Sequence, residues 1–355
     1  MTGTTTKPLR AALLGYGLGG AAFHAPFLAA LPDFDLAAVV TGNPERAAEV
    51  RRRYPDTDVV ASAAELFGRA ADFDLAVVTV PNRFHAPLAR EALDAGLHVV
   101  VDKPFAGTAA DGRDLAALAA ARDRLLCVFQ NRRWDGDFRT LRGLIDRGDL
   151  GDVLRFESRF ERWRPEAALD AWKEDTDPAA LGGILYDLGS HLIDQAVALF
   201  GKPLSVYAEL ERRRPGVGVD DDTFIALSHA GGERSHLWTS AVAADLGPRL
   251  RVLGSKAAYV KYGLDVQEAA LRAGTPAAGP DWGTEEPGAW GRIGTPGETV
   301  PVPTLPGAYQ DFYTGIAAAI HDGTPPPVPL TESITVLEVI EAAQRSAREG
   351  SAVEL

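Results

Sequence analysis

The sequence predicts an α/β protein, with a doubly wound parallel sheet first and a second domain built on a large, mostly antiparallel open sheet. Three observations carry this. Over the first 130 residues short apolar runs alternate with helix-like runs, the pattern of a parallel sheet with crossover helices. From Leu154 onward the pattern changes to longer alternating runs, as in an antiparallel sheet. A chain of 355 residues also exceeds what one hydrophobic core usually serves. The expected division is 1–130 for dinucleotide binding and 131–355 for substrate binding and oligomerisation.

In order, the first strands are read at Leu9–Leu14, Leu36–Thr41, Thr57–Val60, Leu75–Val80, Leu97–Val101 and Leu125–Gln130. Helices fill the gaps, among them Ala86–Ala95 and Ala109–Ala121. The second set comprises Leu154–Arg162, Ser205–Glu211, Phe224–Ala230, Ser235–Ala243, Arg249–Leu253 and Ala257–Tyr262. Residues 272–306, rich in Gly and Pro, read as a long loop. Helices Tyr309–His321 and Thr331–Arg348 close the chain.

Between the first strand and the next helix stands Gly15-Tyr16-Gly17-Leu18-Gly19-Gly20, a G-x-G-x-x-G string. In that context the glycines allow a tight turn, close approach of a pyrophosphate, and close packing of helix on strand. The helix N-terminus then offers unpaired N–H groups to the anion. An acidic residue about 20 positions further on would hold a ribose 2′-hydroxyl. Here the second strand instead runs into Thr41, Gly42, Asn43, Pro44, Glu45 and Arg46. Hydroxyl, amide and guanidinium are donors for a 2′-phosphate, so NADP is expected as the preferred cofactor, with NAD as the other possibility.

Ligands of an open parallel sheet bind beyond the carboxyl ends of its strands. Polar residues collect there: Pro81, Asn82 and His85 after the fourth strand, Asp102 and Lys103 after the fifth, and Asn131 to Asp135 after the sixth. Lys103, between a buried strand and a proline, has little freedom. His85 reads equally as a helix-surface histidine, and Arg132 and Arg133 as partners of Asp135 and Asp137. A second constellation spans Gly182 to Asp194. On an ideal helix Asp187, His191 and Asp194 share one stripe, opposite Leu185, Leu188 and Leu192. Flanking carboxylates stabilise an imidazolium and set its orientation, which suits a general base near neutral pH. The same stripe also fits an ordinary polar face. Asp187 and His191 supply two metal ligands and no third follows nearby, so no metal is expected.

Lysine and arginine total 36 against 49 aspartates and glutamates, a net charge of −13, which repels nucleic acid and anionic lipid. No apolar stretch is long enough for a membrane span and no leader-like segment opens the chain, so a cytoplasmic location is expected. Cys127, the single cysteine, lies in an apolar run and reads as core.

With these residues in hand, the chain resembles the Gfo/Idh/MocA family of NAD(P)-dependent oxidoreductases over nearly its whole length, and within it the scyllo-inositol dehydrogenases. The matching strings are Gly15 to Gly20 with Ala22 to Pro26, Asp102-Lys103-Pro104, Asn131 to Asp135, Tyr186 to Asp194, Val260 to Gly263, and Asp281 to Gly283. The resemblance implies an N-terminal Rossmann domain and a C-terminal sheet used for dimer or tetramer contacts. It places the catalytic lysine at Lys103 and the acid/base histidine at His191, with Asp187 beside it and Asp194 holding a substrate hydroxyl. Asp102 stands where the family usually has glutamate. The implied reaction is hydride transfer at a secondary alcohol of a polyol, inositol or sugar. Asn131, Arg164 and Trp172 are the further candidates for the substrate pocket. A non-catalytic dinucleotide-binding regulator, or an NAD-assisted glycosidase, shares the fold and remains the alternative. A haem-catabolic reductase is disfavoured, because a polar pocket fits the acid and histidine stripe better.

Overall fold

The structure is a computed structural model that describes residues 7–167, 174–277, 279 and 281–355. Its strands are β1 (Leu9–Leu14), β2 (Phe34–Val40), β3 (Asp58–Val60), β4 (Leu75–Val78), β5 (His98–Asp102), β6 (Leu126–Phe129), β7 (Val153–Glu161), β8 (Ser205–Glu211), β9 (Asp222–Ser228), β10 (Arg234–Ser240), β11 (Leu250–Gly254), β12 (Ala258–Lys261), β13 (Gly291–Thr295), β14 (Glu298–Val302) and β15 (Val353–Glu354). The helices are α1 (Ala25–Ala30), α2 (Pro44–Arg53), α3 (Ala63–Phe67), α4 (His85–Asp94), α5 (Ala109–Ala121), α6 (Gly136–Asp146), α7 (Ser190–Phe200), α8 (Gln267–Arg272), α9 (Tyr309–Asp322) and α10 (Leu330–Glu349).

The first compact unit holds β1 to β6 in the order β3-β2-β1-β4-β5-β6, all parallel. Strands β4 and β5 are apolar on both faces because helices cover both sides. Their order reverses between β1 and β4, which opens a crevice at the carboxyl ends of those two strands. Short side chains start the helices: Asn43 Oδ1 accepts from Arg46 N–H, Ser62 Oγ from Glu65 N–H, and Thr108 Oγ1 from Asp111 N–H.

This unit does not end at residue 130. It runs through Asn131 and also takes in Gln267–Trp282 and Ala308–Leu330. The reason is apolar: α9 buries Phe312 edge-on against Phe129 (4.9 Å) and Tyr313 against Phe34 (5.5 Å). A cut placed at 130 from the strand pattern therefore misses a helix that returns to the first core from far along the chain.

The second unit holds a nine-stranded sheet, β14-β13-β12-β11-β7-β10-β9-β8-β15. Only β7 and β10 pair in parallel; every other neighbour is antiparallel. Its strands alternate, and the inward set, Phe156, Phe160, Ile225, Leu227, Leu237 and Val252, shares one core with Leu192 of α7, Leu141 of α6 and Val339 of α10. The other face carries Arg159, Phe224, His236 and Trp238, with the Arg159 guanidinium 3.9 Å above the Trp238 ring. The stretch 272–306, expected as a loop, contains the β13–β14 hairpin, which extends the sheet at its edge. Glycine and proline inside these short strands hide the signal. Buried Lys261 ties this region down, donating to Tyr262 O (2.6 Å) and to Glu285 Oε1 (2.7 Å).

Candidate active site

The glycine turn lies at the crevice between β1 and β4. Gly15 has φ +102°, a conformation that favours glycine, and a Cβ there would collide with the Thr79 carbonyl oxygen. A Cβ on Gly20 would collide with the Gly15 carbonyl oxygen, so these two glycines permit packing. Gly17 differs: nothing lies within 4 Å of where its Cβ would be. The open backbone at Gly17 is the place a pyrophosphate can approach, so the residues present fit a dinucleotide. Gly19 packs on Thr79 Oγ1, and Asp102 Oδ2 lies 3.2 Å from its missing Cβ. Thr79, unremarkable in the sequence, thus floors the cradle. The segment after the turn opens as a wide π-type turn at Gly19–His24 before α1. Leu18 projects outward, whereas the Tyr16 phenol is buried and pushed up to about 12 by desolvation, with Tyr54 adding to it.

At the end of β2, Thr41 Oγ1 accepts from Asn43 N–H (3.3 Å), and Asn43 uses its own side-chain oxygen to cap α2. Arg46 is exposed on the first turn of that helix. No carboxylate follows β2 before Glu45.

At the end of β5, the Asp102 carboxylate accepts from Lys103 N–H (2.7 Å) and lies 3.8 Å from His24 Nε2; the Lys103–Pro104 peptide is cis. Burial alone would raise the Asp102 carboxyl, but His24, His85 and Lys103 outweigh it and hold the group below its ordinary value. His24 is fully buried, its Nδ1 2.6 Å from Tyr313 Oη. His85, expected among the cofactor-binding residues, is 1% exposed, with Nδ1 2.7 Å from Pro104 O and Nε2 2.7 Å from Val80 O. Both ring nitrogens therefore face backbone carbonyls of the fold. Pro81 precedes the short turn Asn82–Phe84 that leads into α4, and Asn82 and, after β6, Asn131 are buried.

In the second unit, Leu185–Gly189 forms a π-type turn that runs directly into α7. Asp187 lies on that turn and His191 and Asp194 on the α-helix, so the ideal stripe of i, i+4 and i+7 does not hold over the whole segment. His191 is buried and Asp187 half-buried. The Asp194 carboxylate, 2% exposed, has another partner than the hydroxyl of a substrate: Arg133 grips it with Nε to Oδ2 (2.8 Å) and Nη2 to Oδ1 (2.6 Å). Arg133 also reaches Glu332 (2.6 Å), while Arg132 pairs with Asp135 (3.3 Å). Next to Asp194, Gln195 donates to Arg132 O and accepts from Arg249 (2.9 Å each), fixing the rotation of α7. Asp220 accepts from Leu185 N–H at the head of the π-type turn (2.7 Å), and burial raises its carboxyl to about 6. Neither Gln195 nor Asp220 is marked by any motif. Arg164 is exposed, beyond the end of β7, and Trp172 lies outside the described residues. Among the described residues no group of three His, Cys, Asp or Glu side chains could hold a metal, and no helix is long and apolar enough to cross a membrane.

A glycine cradle at the reversal of a parallel sheet, followed by an α/β unit with a nine-stranded sheet, defines a dinucleotide-binding oxidoreductase. Residues 9–130 match the oxidoreductase family with an NAD-binding Rossmann fold, and residues 138–260 match the GFO/IDH/MocA C-terminal domain. The chain belongs to the Gfo/Idh/MocA family of oxidoreductases. It is 41% identical to the oxidoreductase YdgJ of Escherichia coli over 96% of both chains. It is 36% identical to IolW of Bacillus subtilis, a scyllo-inositol 2-dehydrogenase (NADP(+)), over 98% of this chain and 96% of that one. A Yersinia pestis oxidoreductase has the same fold with a TM-score of 0.91 at 39% identity, covering 100% of this chain and 99% of that one.

Proposed function

We propose that the protein is an NADP-preferring dehydrogenase that oxidises a secondary alcohol of an inositol, another polyol or a sugar. The observation that carries this reading is the approach of the glycine cradle, open at Gly17, to the Asp102–Lys103 turn across the end of β4, where Asp102 Oδ2 lies 3.2 Å from the Cβ position of Gly19. The likeness to IolW supports both the substrate class and the cofactor. When bound, the nicotinamide supplies the hydride acceptor. His191 takes the proton of the substrate hydroxyl as general base, and Asp187 stabilises the imidazolium that forms. Lys103 stabilises the developing oxyanion by its charge. Asn131, Arg164 and Trp172 are assigned to the pocket; Asp194, held by Arg133, serves instead to seat α7. Thr41, Asn43 and Arg46 receive the 2′-phosphate through hydroxyl, amide or backbone N–H, and guanidinium donors. The partly apolar outer face of the nine-stranded sheet joins two or four copies, and the enzyme works in the cytoplasm without a metal.

The test is an absorbance screen at the reduced-nicotinamide band, crossing NAD and NADP with a panel of inositols and aldoses. Reduction of NADP by at least one inositol is expected. A lower KM for NAD than for NADP would reverse the cofactor assignment, and silence with every pair would favour the regulator.

A further inference from the structure

His85 is buried with both ring nitrogens 2.7 Å from backbone carbonyl oxygens, those of Pro104 and Val80. A carbonyl oxygen can only accept, so each contact needs an N–H on the ring. A neutral imidazole has one N–H; at its other nitrogen a lone pair would face an oxygen lone pair. Only the imidazolium can donate to both carbonyls at once. Its two anchors are telling. Val80 O belongs to the segment after β4 that supplies Thr79, Pro81 and Asn82, and Pro104 O belongs to the residue after Lys103.

We propose that His85 is a positioning residue for Lys103: its imidazolium donates to both carbonyls and so locks the lysine-bearing turn onto the end of β4, and loss of the ring proton releases one of them. The charged groups acting on the ring are Asp102 and Lys103, both on the turn that His85 clamps. Burial is the largest influence and favours the neutral ring; Asp102 and the two carbonyls oppose it, Lys103 adds to it, and the balance lies below the ordinary histidine value. The clamp is therefore complete on the acid side and half open on the alkaline side. The kinetic consequence rests on the dehydrogenase reading; the protonation itself does not.

Two measurements separate them. Ring-15N histidine spectra of the full chain, with His85→Gln used to assign the signal among the seven histidines, should show both ring nitrogens protonated at low pH. The Phe105 amide, which shares a peptide bond with the Pro104 carbonyl, should shift with the same midpoint. A ring that keeps one bare nitrogen from about pH 5 to about pH 8, or a Phe105 amide that ignores the titration, overturns the proposal whatever the enzyme's substrate. In turnover, His85→Gln should keep its dinucleotide Kd while kcat falls about 10- to 100-fold at low pH, the size expected of a misplaced catalytic group. Gln has no proton to lose over this range, so its bonding does not change with pH and the wild-type to variant ratio should shrink as pH rises; the titration of His191 cancels in that ratio. A ratio constant with pH would mean that the ring only fills space, and would also overturn the proposal. Thermal melting and circular dichroism of the variant establish that it is folded.

Discussion

At Gly17 a methyl group would meet nothing, whereas at Gly15 and Gly20 it would strike backbone oxygen. Gly17→Ala should therefore melt like the wild type and yet bind dinucleotide at least about tenfold more weakly, measured by fluorescence titration with NADPH. A variant that binds normally would remove Gly17 from the pyrophosphate site. For the chemistry itself, His191→Ala should lower kcat by about 10²–10⁴ and leave cofactor affinity nearly unchanged. Unchanged turnover would sink its role as general base. At this scale the sequence was informative wherever a residue acts through its neighbours in the chain, as the glycines do. It singled out Asp194 and His85 but not what holds them: the partner of Asp194, Arg133, lies 61 positions away, and the two anchors of His85 are carbonyls that carry no sequence label.

The elements that present the second-unit residues depend on buried charge. Arg133 pairs with Asp194 and Glu332 inside the protein; burial disfavours its charge, but those two carboxylates outweigh it and leave the guanidinium more firmly protonated than usual. Arg133→Met would leave Asp194 buried and unpaired, a change that typically costs about 3–5 kcal/mol, read as a large fall in the urea midpoint. Replacing Asp194 by Leu in the same chain should recover most of the loss; if the single variant is as stable as the wild type, the pair is not what seats α7. Asp220 acts at the start of the preceding turn. Its carboxyl is raised from 3.8 to about 6, so the folded state holds that proton more tightly than the unfolded state. Its contribution therefore favours folding at low pH and is withdrawn as pH rises from about 4 to about 6, by about 3 kcal/mol at most. Asp220→Asn keeps an acceptor for Leu185 N–H and should flatten that slope in melting curves across this window; an unchanged slope would assign the dependence to other groups. The helix 190–200 was legible from its period, but the π-type turn before it was not, because a single added residue per turn changes phase without changing composition.

On the scale of the whole molecule, the nine-stranded sheet presents a second face opposite the core it shares with α6, α7 and α10. Phe224, His236 and Trp238 cluster there, with ring centroids 5.2 to 6.0 Å apart. Sedimentation velocity should find a dimer or tetramer, and Trp238→Glu should shift it toward the monomer; a wild-type monomer would refute the assignment of this face.

The sequence by itself determined the class of fold, the dinucleotide cradle and the family, because these rest on patterns local to a strand, a turn or a helix. It placed most strands within a few residues for the same reason: alternation and continuous apolar runs report directly on which faces are buried. Tertiary structure alone decided that α9 returns to the first core, that residues 291–302 form a hairpin, that Arg133 takes the Asp194 carboxylate, and that His85 binds two carbonyls. The hairpin is local, but its glycines and proline hide it and its place is fixed by pairing with distant β12; the others are pairings between residues far apart in the chain, or between a side chain and an anonymous backbone atom. Their free energy comes from burial and hydrogen-bond satisfaction, which exist only once the chain has closed on itself.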